Sequence, residues 1–189
     1  MPYSSLRFRM VGVAPLLMRS AVLSDPLHPL ARGIREIVGK RLKTEADHLK
    51  IAELEWHANL WIADGRLVIP ADVIMAAFVN GAKTRRLGRQ ARAGLICPQH
   101  CMLQYHGPSS IDELWNDNSF RFRAPVRVQQ AITIRTRPII HDWQTEVELH
   151  FLPTLLNKRD VIEILRLTGE QIAIGDWRPK FGRFEASEV

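Results

Sequence analysis

Apolar and polar side chains alternate along two stretches of the chain, which is the pattern of a strand with one buried face. In residues 6–18, Leu6, Phe8 and Met10 alternate with arginines before an apolar run. In residues 143–151, the even positions are polar and the odd positions, apart from Thr145, are apolar. Both stretches are therefore predicted to be strands.

The clearest alternation covers residues 124–139, where the even positions are mostly apolar. Its odd positions carry Arg127, Gln129, Thr133, Arg135 and Arg137. This pattern predicts a single strand that turns at 140–142 and pairs with 143–151. Pairing of the two polar faces would place Arg135 near Glu146.

Helices are predicted where capping residues precede apolar positions at helical spacing. They are expected at 30–38, after Thr44 with Asp47 in capping-box position, after Pro70, and after Asn157 with Asp160 at the third position. A hairpin is expected at 58–69 around Asp64–Gly65, since this dipeptide favours a two-residue turn. A last strand is expected at 183–189.

With residues 20–66 set aside as an insertion, the remaining elements run strand, helix, strand, strand, helix, strand. This is the order of a ferredoxin-like or RRM-like fold, an antiparallel sheet with two helices. At 189 residues the chain is long enough for one domain with a sizeable core. The sequence therefore predicts one α+β domain over 1–189, elaborated by an early helical and hairpin insertion.

Composition excludes several classes of protein. No apolar stretch approaches the length of a membrane span, and the N-terminus lacks the apolar core of a secretory signal. The two cysteines do not make a disulfide framework, which favours a cytoplasmic protein with no membrane partner. Cys97, His100 and Cys101 are metal-ligand types, but their spacing fits no zinc or haem motif, so we expect no metal and no cofactor.

Positive charge is concentrated in parts of the chain. The formal net charge is +6. Residues 81–93 contain five basic residues and no acidic residue, and residues 118–141 contain five arginines and no acidic residue. The first group, called the basic run here, comprises Lys83, Arg85, Arg86, Arg89 and Arg92. This asymmetry indicates an anion-binding face, although a solvated helix end would look the same.

The segment 175–183, called the glycine loop here, combines residue types that suit nucleic acid. It contains two glycines, three cations and two aromatics: Gly175, Gly182, Arg178, Lys180, Arg183, Trp177 and Phe181. Glycines allow close approach of a ligand, cations meet phosphates, and aromatic faces stack with bases. The alternative is a solvated loop with Trp177 or Phe181 in the core.

Three segments resemble the RAMP superfamily, whose members include backbone subunits of CRISPR effector complexes. They are Ala-Pro-Leu-Leu-Met at 14–18, the strand-to-helix passage through Ile69 and Pro70 at 67–77, and the glycine loop after the last helix. The resemblance implies an RRM-derived fold, single-stranded RNA as the ligand, and head-to-tail assembly along it. It leaves open a CRISPR, phage or other mobile-element setting.

These features predict a non-enzymatic protein that binds single-stranded nucleic acid, with RNA favoured over DNA. The predicted contacts are the basic run, Gly175, Trp177, Arg178, Lys180, Gly182, Arg183, Arg127 and Arg137; no catalytic residue is assigned. One alternative is a metal-independent endoribonuclease of the same fold with a histidine base. Another is a self-assembling structural protein, such as a phage component.

A small binding domain covers only several nucleotides, so a long strand needs many copies. A head-to-tail contact that does not close produces a filament. We therefore expect copies of this chain as partners, and other subunits of an effector complex are further candidates. Residues 25–55 are expected to reach the neighbouring copy; the alternative is a helical cap over the chain's own core.

Overall fold

The computed structural model describes residues 3–128 and 130–189, which combine helices with antiparallel sheets in an α+β arrangement. The helices are α1 Pro29–Val38, α2 Glu45–Asn59, α3 Ala71–Thr84, α4 Gly88–Gly94, α5 Ile111–Asn116 and α6 Lys158–Leu167. The strands are β1 Ser4–Gly12, β2 Leu16–Leu17, β3 Ile62–Ala63, β4 Arg66–Ile69, β5 Leu95–Ile96, β6 Cys101–Met102, β7 Gln104–Tyr105, β8 Arg121–Val128, β9 Ala131–Ile140, β10 Trp143–Phe151 and β11 Phe184–Glu188.

The described residues divide into two compact units. The first unit contains residues from 1–16, 62–106 and 140–189, and the second contains residues from 17–61 and 107–139. Each unit is therefore assembled from separated parts of the chain. The expectation of one domain with an insertion at about 20–66 stays a prediction.

The first unit is built on a sheet of strand order β11–β1–β10–β5, with β7 also pairing with β10. All of these pairings are antiparallel. Leu6 lies opposite Leu149 and Phe8 opposite Val147, and all four are buried. The predicted alternation of both strands is thus confirmed: their apolar positions form one face of the core.

The first strand is shorter than the predicted 6–18, because β1 ends at Gly12. A Cβ at Gly12 would lie 2.2 Å from Nε1 of Trp143, so only glycine permits this close approach. After Pro15 the chain leaves this sheet, and β2 pairs with β9 instead.

Helices α3 and α6 complete the core of the first unit. Their buried positions are Ile74, Ala77, Phe78, Val161, Ile164 and Leu165. The two helices pack closely at Gly81, where a Cβ would lie 2.1 Å from Oγ1 of Thr168. Pro70 caps α3, and Asn157 with Asp160 forms a capping box on α6, so both predicted helix starts are confirmed.

The second unit contains α1, α2 and most of the sheet β2–β9–β8. The predicted capping box of Thr44 and Asp47 is confirmed at the start of α2. Trp56 is fully buried, and its Nε1 donates to the carbonyl of Phe120 at 2.8 Å. This hydrogen bond satisfies the one polar group that burial of the indole would otherwise leave unpaired.

The prediction of one strand over 124–139 is wrong. The segment forms two antiparallel strands, β8 and β9, with Arg127 opposite Ile132 and Val128 opposite Ala131. Strand β10 pairs with β1 rather than with the arginine strand. The error has a physical cause, because apolar and polar positions alternate across the boundary between β8 and β9 and do not reveal it.

The predicted contact between Arg135 and Glu146 is wrong for the same reason. Glu146 lies opposite Arg9 on β1, with Nη2 of Arg9 at 3.7 Å from its carboxylate. Arg135 instead pairs with Glu55 of α2, whose carboxylate also accepts from the backbone N–H of Thr136 at 3.0 Å. Glu55 is only 2% exposed, so this pair fixes α2 to β9 inside the second unit.

Candidate nucleic-acid interface

The glycine loop has an unusual backbone. Gly175 and Gly182 have φ angles of 84° and 72°, and Trp177 also has a positive φ, at 50°. Ala173, two residues before the loop, has a φ of 63°. A bulky aromatic in the left-handed region is uncommon and is held there only by surrounding structure. The loop is therefore a defined conformation rather than a simple solvated turn.

Gly182 is required by the packing of the fold itself. It is buried, its N–H donates to the carbonyl of Pro15 at 2.8 Å, and its carbonyl accepts from Ile174. A Cβ there would lie 1.8 Å from the carbonyl oxygen of Ile174. The need for glycine at 182 thus arises within the chain, and Gly175 is the more accessible of the two.

The three cations of the glycine loop are exposed, whereas its aromatics differ. Phe181 is buried at 8% exposure, with Nζ of Lys180 lying 5.4 Å from its ring centroid, so Phe181 belongs to the core. Trp177 is half-buried. Arg183 donates from Nε to the carbonyl of Pro179 at 2.9 Å, which steadies the loop and leaves its terminal nitrogens outward.

The basic run covers the end of α3 and most of α4, and all five of its cations are exposed. Between the helices, the N–H of Leu87 donates to Ala82 and that of Arg86 donates to Lys83. This is the hydrogen-bond pattern of a Schellman motif, and Arg86, at φ 62°, occupies the left-handed position that glycine usually takes. Cations here also complement the negative end of the α3 dipole.

Arg85 differs from the other members of the basic run because it pairs with Glu163 of α6. Glu163 also accepts from Nε of Arg159 at 2.8 Å. The basic run has no acid nearby in sequence, yet folding brings one to Arg85. Its positive charge is therefore partly neutralised within the fold.

The basic run and the glycine loop meet at Asn80 on α3. Nζ of Lys83 donates to Oδ1 of Asn80 at 2.8 Å. Asn80 in turn lines a surface pocket of about 490 Å³ together with Gly175, Trp177 and Arg178. Lys83 of the basic run and the glycine loop, more than ninety residues apart in sequence, are thus linked through Asn80 in the first unit.

Sequence reasoning missed several residues of this surface, among them Asn80 and Gln171, which both line the pocket. Asn80 lies three residues before Lys83 on a predicted helix, and this spacing puts the two side chains on the same face. That spacing was the available signal for Asn80. Gln171 follows α6 in the π-helical turn Thr168–Ile172, and nothing in the sequence pointed to it.

Arg127 and Arg137, which are both predicted contacts, do not share a sheet face. Arg127 lies opposite Ile132 and Arg137 lies opposite Phe122. Because side chains alternate along each strand, this register sends the two arginines to opposite faces of the hairpin. Gln129, which was grouped with them, lies outside the described residues. Contact of either arginine with nucleic acid stays a prediction.

The segment containing Cys97, His100 and Cys101 has internal partners. Both thiols contact the carbonyl of Gln99, at 3.4 and 3.9 Å, and Nδ1 of His100 accepts from the N–H of Ala71. A hydrogen bond from the Cys101 thiol lowers the pKa of Cys97, and the same contact with burial raises the pKa of Cys101. Within 3–128 and 130–189, no three His, Cys, Asp or Glu side chains are grouped to hold a metal ion.

Three of the histidines, the residue type that the endoribonuclease alternative would use as a base, have structural contacts. His28 caps α1 by accepting from the N–H of Leu30 at 3.3 Å. His57 packs edge-on against Trp56, and burial lowers its pKa. His150 contacts Glu148 at 2.9 Å, which lowers the pKa of that carboxyl group. These contacts give each ring a role in the fold.

The cationic surface formed by the basic run and the glycine loop is the arrangement best suited to bind a polyanion, since it combines exposed cations with an open pocket. None of the helices in the described part of the chain is both long and apolar enough to cross a bilayer. No protein-family model matches the chain, and no match was found among the curated proteins.

Proposed function

We propose that this protein binds single-stranded nucleic acid, RNA in preference to DNA, and does not cleave it. The observation that carries the proposal is the meeting of the basic run with the glycine loop at Asn80. Exposed cations from two distant segments then flank one pocket. A single strand, whose phosphates repeat along its length, can engage such a surface at several points at once.

The fold supports a ferredoxin-like assignment within this proposal. The last strand, β11, lies beside the first, β1, and β1 lies beside β10, which precedes α6. Helix α3 follows β1 and precedes the short edge strands β5 and β7. This order and the antiparallel pairing agree with the strand–helix–strand–strand–helix–strand unit. Membership of the RAMP superfamily remains part of the same proposal.

Phosphate contacts provide the affinity in this mechanism. Arg86, Arg89 and Arg92 of the basic run and Arg178, Lys180 and Arg183 of the glycine loop are all exposed. Each phosphate that they neutralise releases condensed counterions, so log affinity falls by about 0.7 per contact for each tenfold rise in salt. Five such contacts would reduce affinity by roughly three orders of magnitude over that range.

Fluorescence anisotropy with a labelled single-stranded RNA, measured from about 50 mM to about 500 mM salt, tests the proposal. The variant Lys83→Ala/Arg86→Ala/Arg89→Ala should bind weakly and with a shallower salt slope. Arg66→Ala is the matched control. Arg66 is exposed and precedes the start of α3, whereas the basic run begins at the other end of this helix, which is about 20 Å long. A flat salt response, or equal loss in both variants, would refute the proposal, and RNA cleavage would favour the endoribonuclease.

We also propose that copies assemble head-to-tail along the strand. The α1–α2 region supports this because it exposes large apolar side chains, including Leu27 at 68%, Leu42 at 86% and Leu49 at 56%. Light scattering with short and long strands tests the idea. The mass per complex should rise stepwise with strand length, and a mass that stays at one subunit would show a solitary binding module.

A further inference from the structure

The pocket between α3 and the glycine loop has a composition that the phosphate contacts leave unexplained. Its lining comprises Asn80, Gln171, Ile172, Gly175, Asp176, Trp177, Arg178 and Pro179. The volume of about 490 Å³ falls within the usual range for small-molecule sites. The indole and the two amides in this lining favour a flat, polar ring.

Trp177 provides a fixed flat surface on the wall of this pocket. It is half-buried, and its ring lies 6.4 Å from that of buried Phe181 at a tilt of 48°. Its φ of 50° is costly for an aromatic residue and fixes the direction in which the side chain leaves the backbone. Backbone strain of this kind is concentrated at ligand-binding positions.

Asn80 presents hydrogen-bond donors to the same pocket. The ammonium group of Lys83 can only donate, so the Asn80 atom at 2.8 Å from Nζ must be the oxygen. The Nδ2 group of Asn80 therefore faces away from Lys83. Lys83 is held in place because Gly88 has no Cβ; a Cβ there would lie 2.8 Å from Cγ of Lys83.

We propose that this pocket holds one nucleobase of the bound strand, stacked on the Trp177 indole. Nδ2 of Asn80 donates to an acceptor on the base edge, while Lys83 and Arg178 meet the flanking phosphates. Every base carries hydrogen-bond acceptors along an edge, so the pocket accepts nucleobases as a class. The inference rests on the proposed function, and it adds base contact to backbone contact.

An oligouridine and a fully abasic strand of equal length separate base contact from backbone contact, because they carry the same phosphates. The protein should bind oligouridine about tenfold more tightly, the order expected for one stacked base. The variant Trp177→Gly should bind both strands equally, and Trp177→Phe should restore part of the preference. Glycine adopts a positive φ without strain, so the loop keeps its fold in this variant, which thermal melting checks.

The results of these binding measurements distinguish a failure of the base pocket from a failure of the proposed nucleic-acid binding. If neither strand binds, the proposed function itself is wrong. If both bind equally to the unaltered protein, or if Trp177→Gly keeps the preference for oligouridine, the base pocket is wrong and the cationic surface stands. The salt slopes of the two strands should agree, since Trp177 contacts no phosphate in this arrangement. Asn80→Asp retains the contact with Lys83, removes the donors, and should weaken oligouridine binding several-fold.

Discussion

The cationic surface of the first unit and the β8–β9 hairpin of the second unit are both rich in arginine, yet they hold it differently. In the first unit, Arg86 and Arg178 are exposed on tightly determined turns, and Arg178 lines an open pocket. In the hairpin, Arg135 is bound by the buried Glu55, and Arg127 and Arg137 point to opposite faces. Similar arginine content therefore leaves exposed cations near a pocket in one region and places arginines on opposite faces of a hairpin in the other.

The difference shows that the availability of an arginine depends on acids that are distant in sequence. Glu55 lies eighty residues from Arg135, and Glu163 lies seventy-eight residues from Arg85. Neither pair follows from local spacing. Within a cluster of basic residues, the cations against which folding brings no acid are the ones that stay fully available to a ligand.

The sharpest test compares Arg135→Gln with Arg127→Gln in the hairpin. Removal of Arg135 leaves the Glu55 carboxylate buried without its cation, and the free energy of unfolding should fall by about 2–3 kcal/mol. Exposed Arg127 should change it by less than about 0.5 kcal/mol. Urea denaturation measures both values.

A measurement of the affinity of Arg135→Gln for nucleic acid completes this test. If Arg135 has only its structural role, Arg135→Gln should keep the affinity of the unaltered protein at a temperature where both are folded. A large loss of affinity with normal stability would place Arg135 in the interface and remove the contrast between the two regions.

The next largest effect is expected from Arg178→Ala with Arg183→Ala. If both contact phosphates, their loss should lower affinity about 25-fold at about 0.1 M salt and reduce the salt slope by about 1.4. Melting should change little, because exposed loop arginines contribute little to stability. Arg178→Lys with Arg183→Lys keeps the charge and serves as the control. An unchanged slope in the alanine variant would remove the glycine loop from the interface.

Short sequence motifs predicted the helix starts and the turn at Asp64–Gly65 well. Thr44 with Asp47, and Asn157 with Asp160, form capping boxes, and Asp64–Gly65 turns between β3 and β4 with positive φ at both residues. Each of these features is determined by residues a few positions apart. Their hydrogen bonds form between residues within one turn of the chain, so the sequence pattern is sufficient to predict them.

Pairing between strands and the layout of the site could be predicted only in part. Residues 124–139 alternate so regularly that the sequence does not show where β8 ends and β9 begins. The sheet to which β9 belongs also depends on its pairing with β2. Of the pocket residues, Trp177 and Arg178 were predicted from their types, whereas Asn80 and Gln171 reach the site through packing of α3 against α6 and its following turn. Long-range packing is not encoded in local spacing.

A smaller effect, with opposite signs for stability and binding, is expected from Arg86→Gly. Glycine at this left-handed position removes the penalty that a side chain incurs, so the free energy of unfolding should rise by about 1 kcal/mol. The affinity for single-stranded RNA should fall, since one exposed cation is lost. Arg89→Ala, which removes a cation from within α4, should lower affinity without the gain in stability. If Arg86→Gly melts lower and binds normally, the roles given to Arg86 are wrong.

The smallest expected effect is a pH dependence confined to the second unit. Burial lowers the pKa of His57 from 6.5, so below that pH the unfolded chain takes up a proton that the folded chain resists. Stability should therefore be complete above pH 6.5 and decline as the pH falls toward the lowered pKa. His57→Phe should flatten this part of the melting profile between about pH 7.5 and about 5.5, while His48→Gln, an exposed histidine on the same helix, should not. The cationic surface is built from lysine and arginine rather than histidine, so RNA affinity should stay constant over this range as long as the protein is folded. If affinity instead rises as the pH falls and His57→Phe abolishes the rise, a histidine of the second unit takes part in binding, and the two regions are functionally coupled.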